Sequence, residues 1–331
     1  MKELLLQIDS SSPSSKVTQL TDAIINSISN NVFKEGDILP SVNVISKEYG
    51  ISRDTVFKAY SELKRLGIVE STRAKSYHVI NSSSRVFLFL DLYSPFKDIL
   101  YNAFRNKLPD QYIVDLGFHY YNKDIFETVI SHSLGKYNRY VVMNYNNDSM
   151  HEVLNKIDKN KLLLLDWGNF KSENVSYVNQ DFGKGPYECL IKAEKLLSKY
   201  DEFIYVDSKL SQHPKDTSKW FAKFCKERKI IYKVITKIEE QDIVAGKAFL
   251  IVQHLDVVSL LKSCKARKLK TGKDIGIICY NDSPMFEVMG NGITVISTDF
   301  AKMGELAAEF ITTQTKIQVT VPTSLIIRGS L

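Results

Sequence analysis

The chain contains few cysteines and no long apolar run. Its 331 residues include 4 cysteines, at positions 189, 225, 264 and 279, and their spacing fits neither a metal site nor a Cys-x-x-Cys pair. We expect free structural thiols in a reducing compartment. No window approaches the roughly 20 apolar residues of a membrane span. Leu4–Ile8 is too short for a signal peptide, because Asp9 follows at once. These absences predict a cytoplasmic protein with no membrane partner.

The motifs of common enzyme classes are also missing. The sequence has no Gly-x-x-x-x-Gly-Lys phosphate loop and no nucleophile-elbow spacing. A length of 331 residues, with 44% hydrophobic and 25% charged residues, is typical of a soluble globular protein of two or three domains. We therefore expect no enzymatic activity, no cofactor and no metal.

The N-terminal part of the chain lacks the large excess of positive charge that would by itself indicate DNA binding. Residues 1–80 hold ten Lys or Arg and nine Asp or Glu, a net charge of +1. Between residues 53 and 75, however, six basic residues stand against three acidic ones. Such clustering is what a DNA-binding surface needs. A solvated charged surface has the same appearance, so charge alone leaves both interpretations open.

Residues 39–66, LPSVNVISKEYGISRDTVFKAYSELKRL, have the pattern of two short helices joined by a tight turn. Ser41 and Ser52 are good N-cap residues, because a serine hydroxyl accepts a hydrogen bond from a free backbone N–H of the first turn. Gly50 is the expected end of the first helix. The sequence thus predicts a helix-turn-helix.

The second helix of this pair has two distinct faces. Apolar residues at intervals of three and four predict a buried stripe of Val56, Ala59, Tyr60, Leu63 and Leu66. The opposite face carries Arg53, Asp54, Phe57, Lys58 and Lys64. A helix with polar and basic residues in its first turns is what a helix-turn-helix places in the DNA major groove.

The surrounding sequence completes a small domain. Val17–Ser29 is predicted to be a core helix, and IVES and YHVI are predicted to form a hairpin around the turn TRAK. This domain spans residues 1–80, and residues 81–85 form a linker.

This region resembles the winged helix-turn-helix of the GntR family of bacterial transcription regulators. The resemblance covers roughly residues 13–80 and is carried by Gly36-Asp37, Leu39-Pro40-Ser41, GISRDTV and LKRLGIVE. It implies that operator DNA is contacted by Ser52, Arg53, Asp54, Thr55, Lys58, Lys64, Arg73 and Lys75. Val42-Asn43 and Ala74 depart from the family pattern and leave the operator sequence open. A homodimer is implied, because one helix reads one half-site of a palindrome.

From residue 85 the pattern changes to short apolar runs that alternate with amphipathic segments. The runs are RVFLFLDL, QYIVDLGF, YVVMN, KLLLLDW, EFIYVDS, IIYKVI, AFLIVQ and DIGIICY. They predict buried strands, and segments such as Pro186–Leu197 and Asp256–Arg267 predict the connecting helices. The fold class is therefore α/β, with an N-terminal winged helix-turn-helix and two parallel α/β lobes over residues 86–331.

These residues resemble the ligand domain of lactose-repressor-type regulators, which has the periplasmic-binding-protein type I fold. LDLYSPFKDIL looks like its first strand and loop, and KTGKDIGIICYNDSP, GITVISTDFAKMGELAAEFI and VPTSLIIRGSL look like its close. The resemblance implies a sugar held between two lobes.

Ligands of open α/β sheets bind beyond the carboxyl ends of the strands. We expect the effector to contact polar and aromatic residues at these ends, namely Tyr93, Ser94, Phe96, Asn144, Asp166, Trp167, Gln253, His254, Asn281 and Asp282. Phe96 has an alternative role in the core, His254 in local hydrogen bonding and Asp282 as a cap.

Together these features predict a sugar-responsive transcription regulator. The leading hypothesis is a repressor of a carbohydrate-utilisation operon that a monosaccharide, L-fucose or a similar sugar, releases from its operator. One alternative is a GntR-type fusion enzyme that uses pyridoxal phosphate. The other is a DNA-binding protein with a non-sugar effector or with lobes that serve for dimerisation.

Overall fold

The computed structural model describes residues 8–9, 12, 14–29, 32–72, 76–80, 84–145, 150–168, 170, 174–208, 212–313 and 315–331. Within these residues the chain forms a small N-terminal domain followed by two α/β lobes, which confirms the predicted fold class. None of the described helices combines the length and the apolar character that a membrane crossing requires.

The N-terminal domain is built on the predicted helix-turn-helix. Its elements are α1 (Lys16–Ser29), α2 (Val42–Glu48), α3 (Arg53–Arg65), β1 (Val69–Ser71) and β2 (Tyr77–Val79). The Ser41 hydroxyl accepts from Val44 N at 3.3 Å and the Ser52 hydroxyl from Thr55 N at 3.1 Å, so both predicted N-caps are confirmed.

The predicted stripe of α3 is buried at Val56, Ala59, Tyr60 and Leu63, whereas Leu66 is half-buried. It packs against Leu20, Ile24, Ile28 and Ile45 of the other two helices in one apolar cluster. The Tyr60 hydroxyl donates to the Pro40 carbonyl at 2.5 Å and ties α3 to the segment before α2. Strands β1 and β2 pair antiparallel, with Val69 opposite Val79, and form the predicted hairpin.

The rest of the chain alternates strands and helices. In chain order the elements are β3 (Ser84–Leu90), α4 (Pro95–Lys107), β4 (Tyr112–Phe118), α5 (Lys123–Ser133), β5 (Arg139–Met143), β6 (Leu162–Asp166), β7 (Ser176–Gln180), α6 (Lys184–Leu197), β8 (Glu202–Val206), α7 (Lys215–Glu227), β9 (Tyr232–Ile235), β10 (Lys247–Ile251), α8 (His254–Ala266), β11 (Ile275–Tyr280), α9 (Met285–Val288), β12 (Thr294–Thr298), α10 (Phe300–Thr313), β13 (Gln318–Val321) and β14 (Thr323–Ile326). Short 3₁₀ helices cover Glu152–Lys156, Lys159–Lys161 and Glu240–Asp242. Each predicted apolar run is a strand. β3 begins at Ser84, inside the segment expected to be the linker.

The strands form one sheet in each lobe. Among the described residues, lobe 1 has six strands in the order β13-β7-β6-β5-β3-β4, and lobe 2 has six in the order β14-β12-β11-β10-β8-β9. All the strand pairs within these two sheets are parallel except β12 with β14. Parallel strands direct their carboxyl ends to one edge, and the two edges bearing these ends face each other.

Each central strand is buried on both faces, because helices cover both sides of each sheet. In β3, Val86, Leu88 and Leu90 join a cluster with α4 and α10. Phe87 and Phe89 point the other way and pack against α5. This alternation with a period of two is what a pleated strand imposes.

The chain passes between the lobes three times, from β7 to α6, from β12 to α10 and from β13 to β14. Helix α10 follows a strand of lobe 2 but packs on α4 of lobe 1. Hydrogen bonds connect the crossings: the Thr298 hydroxyl donates to Gln180 Oε1 at 3.0 Å, and the Thr323 hydroxyl donates to the Asp181 carbonyl at 3.3 Å. The crossings therefore form one compact hinge.

The N-terminal domain rests against lobe 1. Asp22 of α1 forms an ion pair with Lys161, which directly precedes β6, and both side chains are less than one-third exposed. Beside this pair, Leu66 and Ile68 line a cleft together with Arg85.

Candidate functional site

The exposed face of α3 is the candidate DNA-binding surface. Arg53 is exposed and has no hydrogen-bond or ion-pair partner among the described residues. Asp54 and Lys58 form an exposed ion pair at 2.8 Å, and the hydrogen bond that Lys58 donates to Asp54 raises the pKa of Lys58. The Phe57 side chain is 56% exposed between these charges. The helix thus presents one unengaged guanidinium and one apolar ring at its surface.

The remaining predicted DNA contacts are placed differently. Ser52 and Thr55 hydroxyls lie 2.8 Å apart at the start of α3, where Ser52 acts as the cap. Lys64 Nζ donates to the Ser71 hydroxyl at 3.0 Å, so this lysine lies where α3 meets β1. Arg73 and Lys75 lie outside the described residues.

A cavity of about 410 Å³ lies between the lobes at the carboxyl ends of the strands. Eight of the ten predicted effector contacts line it: Tyr93, Ser94, Phe96, Asp166, Trp167, Gln253, His254 and Asn281. They come from both lobes. All eight were predicted because they lie at or near the carboxyl end of a strand.

The two other predicted residues do not line the cavity, which corrects their placement. The buried Asn144 side chain accepts from His151 N at 3.2 Å through Oδ1 and supports the following loop. Arg328 donates to Asp282 through Nη1 at 2.9 Å and Nη2 at 2.7 Å. Asp282 also accepts from Ser283 N at 2.8 Å. Both residues follow strands, but local partners hold their polar atoms.

A group of buried polar residues forms the floor of the cavity. We call Asp91, Lys97, Tyr121, Asp166 and Gln180 the polar base. Asp91 accepts from Lys97 Nζ through Oδ1 and from the Tyr121 hydroxyl through Oδ2. Gln180 donates through Nε2 to Oδ1 of Asp166. Gln180 also accepts from Thr298 at a lobe crossing, so the polar base is connected to the hinge.

Burial sets the charges of the polar base. Lys97 is only 4% exposed, and the loss of hydration lowers its pKa to about 8, although the negative charge of Asp166 acts against this change. Burial raises the pKa of Asp166, opposed by the charge of Lys97 and the hydrogen bond from Gln180. Burial thus favours the neutral forms of Lys97 and Asp166, and the attraction between their opposite charges favours the ionised forms.

Aromatic rings form much of the cavity wall. On one side the Trp167 ring lies 6.4 Å from Tyr121 and 6.3 Å from Phe182, measured between centroids. On the other side the His254 ring lies 5.8 Å from Phe96 and 4.6 Å from Phe286. The wall can therefore pack against an apolar ring face or a cation.

Three cavity residues have an unusual backbone. Tyr121, Asp166 and Asn281 have φ angles of 55°, 69° and 64°, in the left-handed region that non-glycine residues rarely occupy. His119, which is buried, helps to hold the first of them, because its Nδ1 accepts from Tyr121 N at 3.2 Å. Such conformations concentrate at functional sites.

Some polar atoms of the wall lack a partner. Ser94 Oγ, His254 Nε2 and Asn281 Oδ1 are buried without a hydrogen-bond partner among the described residues. Burial of an unpaired polar atom costs free energy, and a bound ligand would recover it. Burial also lowers the pKa of His254, so its ring is neutral at pH 7.

Two known protein families match separate parts of the chain. The family described as bacterial regulatory proteins, gntR family, matches residues 16–79. A periplasmic binding protein-like domain matches residues 200–331. Residues 16–79 are thus a gntR-type regulatory domain, and we refer to the chain as the regulator. No curated protein matches it.

Solved structures share the fold of the two lobes. The trehalose repressor from Escherichia coli is 12% identical with a TM-score of 0.61, over 74% of the regulator and 100% of that chain. A LacI family transcriptional regulator from Lactobacillus casei with bound glucose is 12% identical with a TM-score of 0.61, over 75% and 100%. A periplasmic binding protein/LacI transcriptional regulator from Alkaliphilus metalliredigens QYMF, complexed with D-xylulofuranose, is 12% identical with a TM-score of 0.58, over 75% and 99%. At such identities the likeness shows the fold.

Sequence reasoning missed part of the regulator's cavity. The missed polar and aromatic residues are Asp91, Lys97, Tyr121, Gln180, Phe182, Gln212, His213 and Phe286. Asp91 was detectable, because it directly follows β3. Gln180 ends β7 and Phe182 follows it, and the polar sequence SYVNQ of this strand was not recognised as a strand. His213 lies in the loop after β8, where its Nε2 donates to the Thr217 hydroxyl at 2.8 Å. Thr217 in turn donates to the Phe182 carbonyl at 2.7 Å.

Proposed function

We propose that the regulator is a cytoplasmic, homodimeric repressor of a carbohydrate-utilisation operon, released from double-stranded operator DNA when a monosaccharide binds between its lobes. One observation carries this proposal: a gntR-type domain is joined to two lobes that enclose a cavity with aromatic walls and a polar base. Its volume of about 410 Å³ is in the usual range for small-molecule sites.

Operator DNA is contacted, in this proposal, by α3 and the β1–β2 hairpin. Arg53 is the main reader, because its exposed fork can bind guanine edges or clasp a phosphate. Ser52, Thr55, Lys58 and Lys64 contact phosphate and Asp54 orients Lys58. Arg73 and Lys75 enter the minor groove. Two copies of the regulator read the two half-sites of a palindrome.

The cavity has the two kinds of group that sugar binding requires. The proposed effector contacts are Tyr93, Ser94, Phe96, Asp166, Trp167, Gln253, His254 and Asn281, and they offer hydroxyl, carboxylate, amide and aromatic groups. Relatives of the same fold are named for trehalose or hold glucose or D-xylulofuranose, which supports a sugar here. The apolar walls favour a deoxy sugar such as L-fucose.

Release from DNA follows from a shift between open and closed lobes. A sugar that touches both lobes binds the closed arrangement more tightly, and the difference in affinity shifts the population. Because Gln180 bonds both to Asp166 and to the crossing residue Thr298, occupation of the cavity acts directly on the hinge. The N-terminal domains of the dimer then change their spacing.

Thermal unfolding with a panel of monosaccharides and deoxy sugars tests the ligand part. A sugar at a hundred times its dissociation constant adds about 2.7 kcal/mol of stability. We expect Trp167→Ala to abolish this shift and Trp220→Ala, outside the cavity, to retain it. No shift with any sugar, or a shift only with metabolites of another class, would contradict a sugar effector.

Binding to DNA fragments selected by the regulator from genomic DNA tests the repressor part. We expect the sugar that stabilises the protein to weaken the complex, measured by fluorescence anisotropy. Tighter DNA binding in its presence would contradict release, and no change would favour lobes that serve for dimerisation.

A further inference from the structure

The charges of the polar base are out of balance. Asp91 and Asp166 contribute two carboxylates and Lys97 contributes one ammonium, which already bonds to Asp91. Lys97 is the sole lysine or arginine among the described residues that line the cavity. The two histidines of the wall, His213 and His254, are neutral because burial lowers the pKa of each. When both carboxylates are ionised, one negative charge remains without a partner. Burial raises the pKa of Asp166, and a cation bound beside it would favour the ionised form.

Asp166 is where that charge resides. Asp91 is satisfied by Lys97, by the Tyr121 hydroxyl and by Leu92 N at 2.6 Å. Asp166 accepts from Gln180 through Oδ1, and its Oδ2 has no hydrogen-bond donor among the described residues. The residue lines the cavity and is 8% exposed. A carboxylate oxygen without a donor thus lies at the floor of the cavity, on a residue that has little contact with solvent.

The surroundings of Asp166 suit a cation. Trp167, Tyr121 and Phe96 lie in the same cavity, and aromatic faces attract positive charge. Neutral hydroxyl groups also donate to a carboxylate, but they leave its charge uncompensated in a poorly hydrated site. An ammonium group supplies both the donor and the missing charge. A phosphate or carboxylate on the ligand would meet like charge instead.

Further polar atoms define the rest of the ligand. Ser94, which is 9% exposed, has an unpartnered Oγ, and Asn281 has an unpartnered Oδ1. Both line the same cavity as Asp166. These atoms accept or donate single hydrogen bonds, as the hydroxyls of a small ring do.

We infer that the effector is an amino-substituted sugar of monosaccharide size, whose ammonium group binds Asp166 Oδ2 at the aromatic-walled floor of the cavity. This inference rests on the proposed sugar-responsive function and narrows its ligand class. The cavity selects against sugar phosphates and sugar acids. A deoxy sugar with an amino group satisfies both the apolar wall and the carboxylate.

Matched pairs of sugars test this inference on the full-length chain. The chain has 2 tryptophans, so Trp220→Phe leaves Trp167 as the fluorescent reporter in the cavity. Galactosamine, glucosamine and mannosamine are each compared with the neutral parent sugar and with the N-acetyl derivative at about pH 6.5. We expect one amine to bind about tenfold tighter than its parent, the ratio expected for a charge-assisted hydrogen bond, and N-acetylation to remove the gain.

Two variants locate the effect. Asp166→Asn keeps an acceptor for Gln180 but loses the charge, so the amine and its parent should bind equally. Asp216→Asn, on the exposed start of α7, removes an acidic residue outside the cavity and should leave the preference unchanged. A preference that survives Asp166→Asn would overturn the inference.

The outcomes separate the inference from the proposed function. If a neutral sugar binds as tightly as its amine or tighter, the inference of an amino-substituted effector is wrong, and the proposed sugar-responsive function is retained. If no sugar binds, cyclohexylamine and cyclohexanol replace the panel. Tighter binding of this amine would then support the cationic ligand and overturn the sugar, and equal or absent binding would overturn both.

Discussion

Arg53 combines features that no other predicted DNA contact shares within the described part of the chain. It is exposed in the first turn of α3 and has no partner among the described residues, whereas the charge of Lys58 is engaged by Asp54 at 2.8 Å. A guanidinium that is not held by the protein can form two parallel hydrogen bonds with a base or phosphate. The two cations one helical turn apart should therefore differ in their importance.

We expect Arg53→Ala to weaken operator binding by roughly 5- to 150-fold, since a specific arginine contact contributes roughly 1–3 kcal/mol. Lys58→Ala is the matched control and should have a smaller effect, because the charge of Lys58 is already engaged by Asp54. Fluorescence anisotropy on a selected operator measures both. Operator binding by Arg53→Ala within twofold of the unsubstituted regulator would show that α3 reads DNA through other residues.

His213 couples the cavity wall to pH. It packs against Tyr280, with ring centroids 4.4 Å apart, and burial lowers its pKa to about 3. In the unfolded chain its pKa is about 6.5, so between these values the unfolded state binds one more proton. Its contribution to stability is complete above about pH 6.5 and is lost as pH falls towards 3.

His213→Gln should therefore reduce the loss of stability between pH 7 and pH 5 by about 2 kcal/mol. Urea denaturation followed by circular dichroism at both pH values measures this difference. His132→Gln, at an exposed position near the end of α5, serves as the control. An unchanged pH dependence in His213→Gln would mean that the ring can be protonated in the folded state.

At the scale of elements, the contact of α10 with α4 depends on a glycine. A Cβ added at Gly304 would lie 2.3 Å from the Leu100 carbonyl oxygen and 2.9 Å from Phe104 N. Both are backbone atoms of α4, which cannot turn aside as a side chain can. These helices cover one face of the lobe 1 sheet, so their separation would open the core.

Gly304→Ala should lower the free energy of unfolding by roughly 1–3 kcal/mol, the usual cost of overpacking, despite the better helix propensity of alanine. Glu309→Ala, on the exposed face of α10, should change it little. Denaturation by urea compares the two variants. An equal or higher stability of Gly304→Ala would show that the helices separate without cost.

Elements with strong patterns were predictable and weakly patterned ones were not. β3 and β6 consist almost wholly of large apolar residues, because helices cover both faces. β7, with the sequence SYVNQ, and the edge strands β13 and β14 carry polar side chains and give no such signal. Their pairing is decided by tertiary contacts.

The same distinction applies to the cavity. Residues at the end of a recognised strand or directly after it, such as Asp166 and Asn281, were found by position. Lys97 was not found by position, because it lies within helix α4. At the cavity its ammonium group donates a hydrogen bond to Asp91, six residues earlier in the chain. Asn144 and Asp282 follow strands too, but local hydrogen bonds hold them. Strand position predicts candidates, and the partners of each side chain decide among them.

At the scale of the whole molecule, the ion pair between Asp22 and Lys161 connects the N-terminal domain with lobe 1. The buried Arg139 lies in the same region, and the charge of Asp22 acts on it. An ion pair thus helps to set the orientation of the DNA-binding domain. Its partner in this contact is lobe 1, which also carries the polar base.

Reversing one charge should loosen this contact. We expect Asp22→Lys to increase the radius of gyration in small-angle X-ray scattering, because two lysines then face each other. The double variant Asp22→Lys/Lys161→Asp restores opposite charges and should restore the value. If the single variant leaves the scattering unchanged, the cleft beside Leu66 and Ile68, not the ion pair, holds the domain.

The crossing between β13 and β14 has a genetic consequence. These strands follow each other near the end of the chain, yet one is the edge of the lobe 1 sheet and the other the edge of the lobe 2 sheet. A premature stop codon just before Gln318 would therefore damage both lobes while leaving the DNA-binding domain intact. Such an allele would encode an intact DNA-binding domain without a working sensor, and not a sensor with one working lobe.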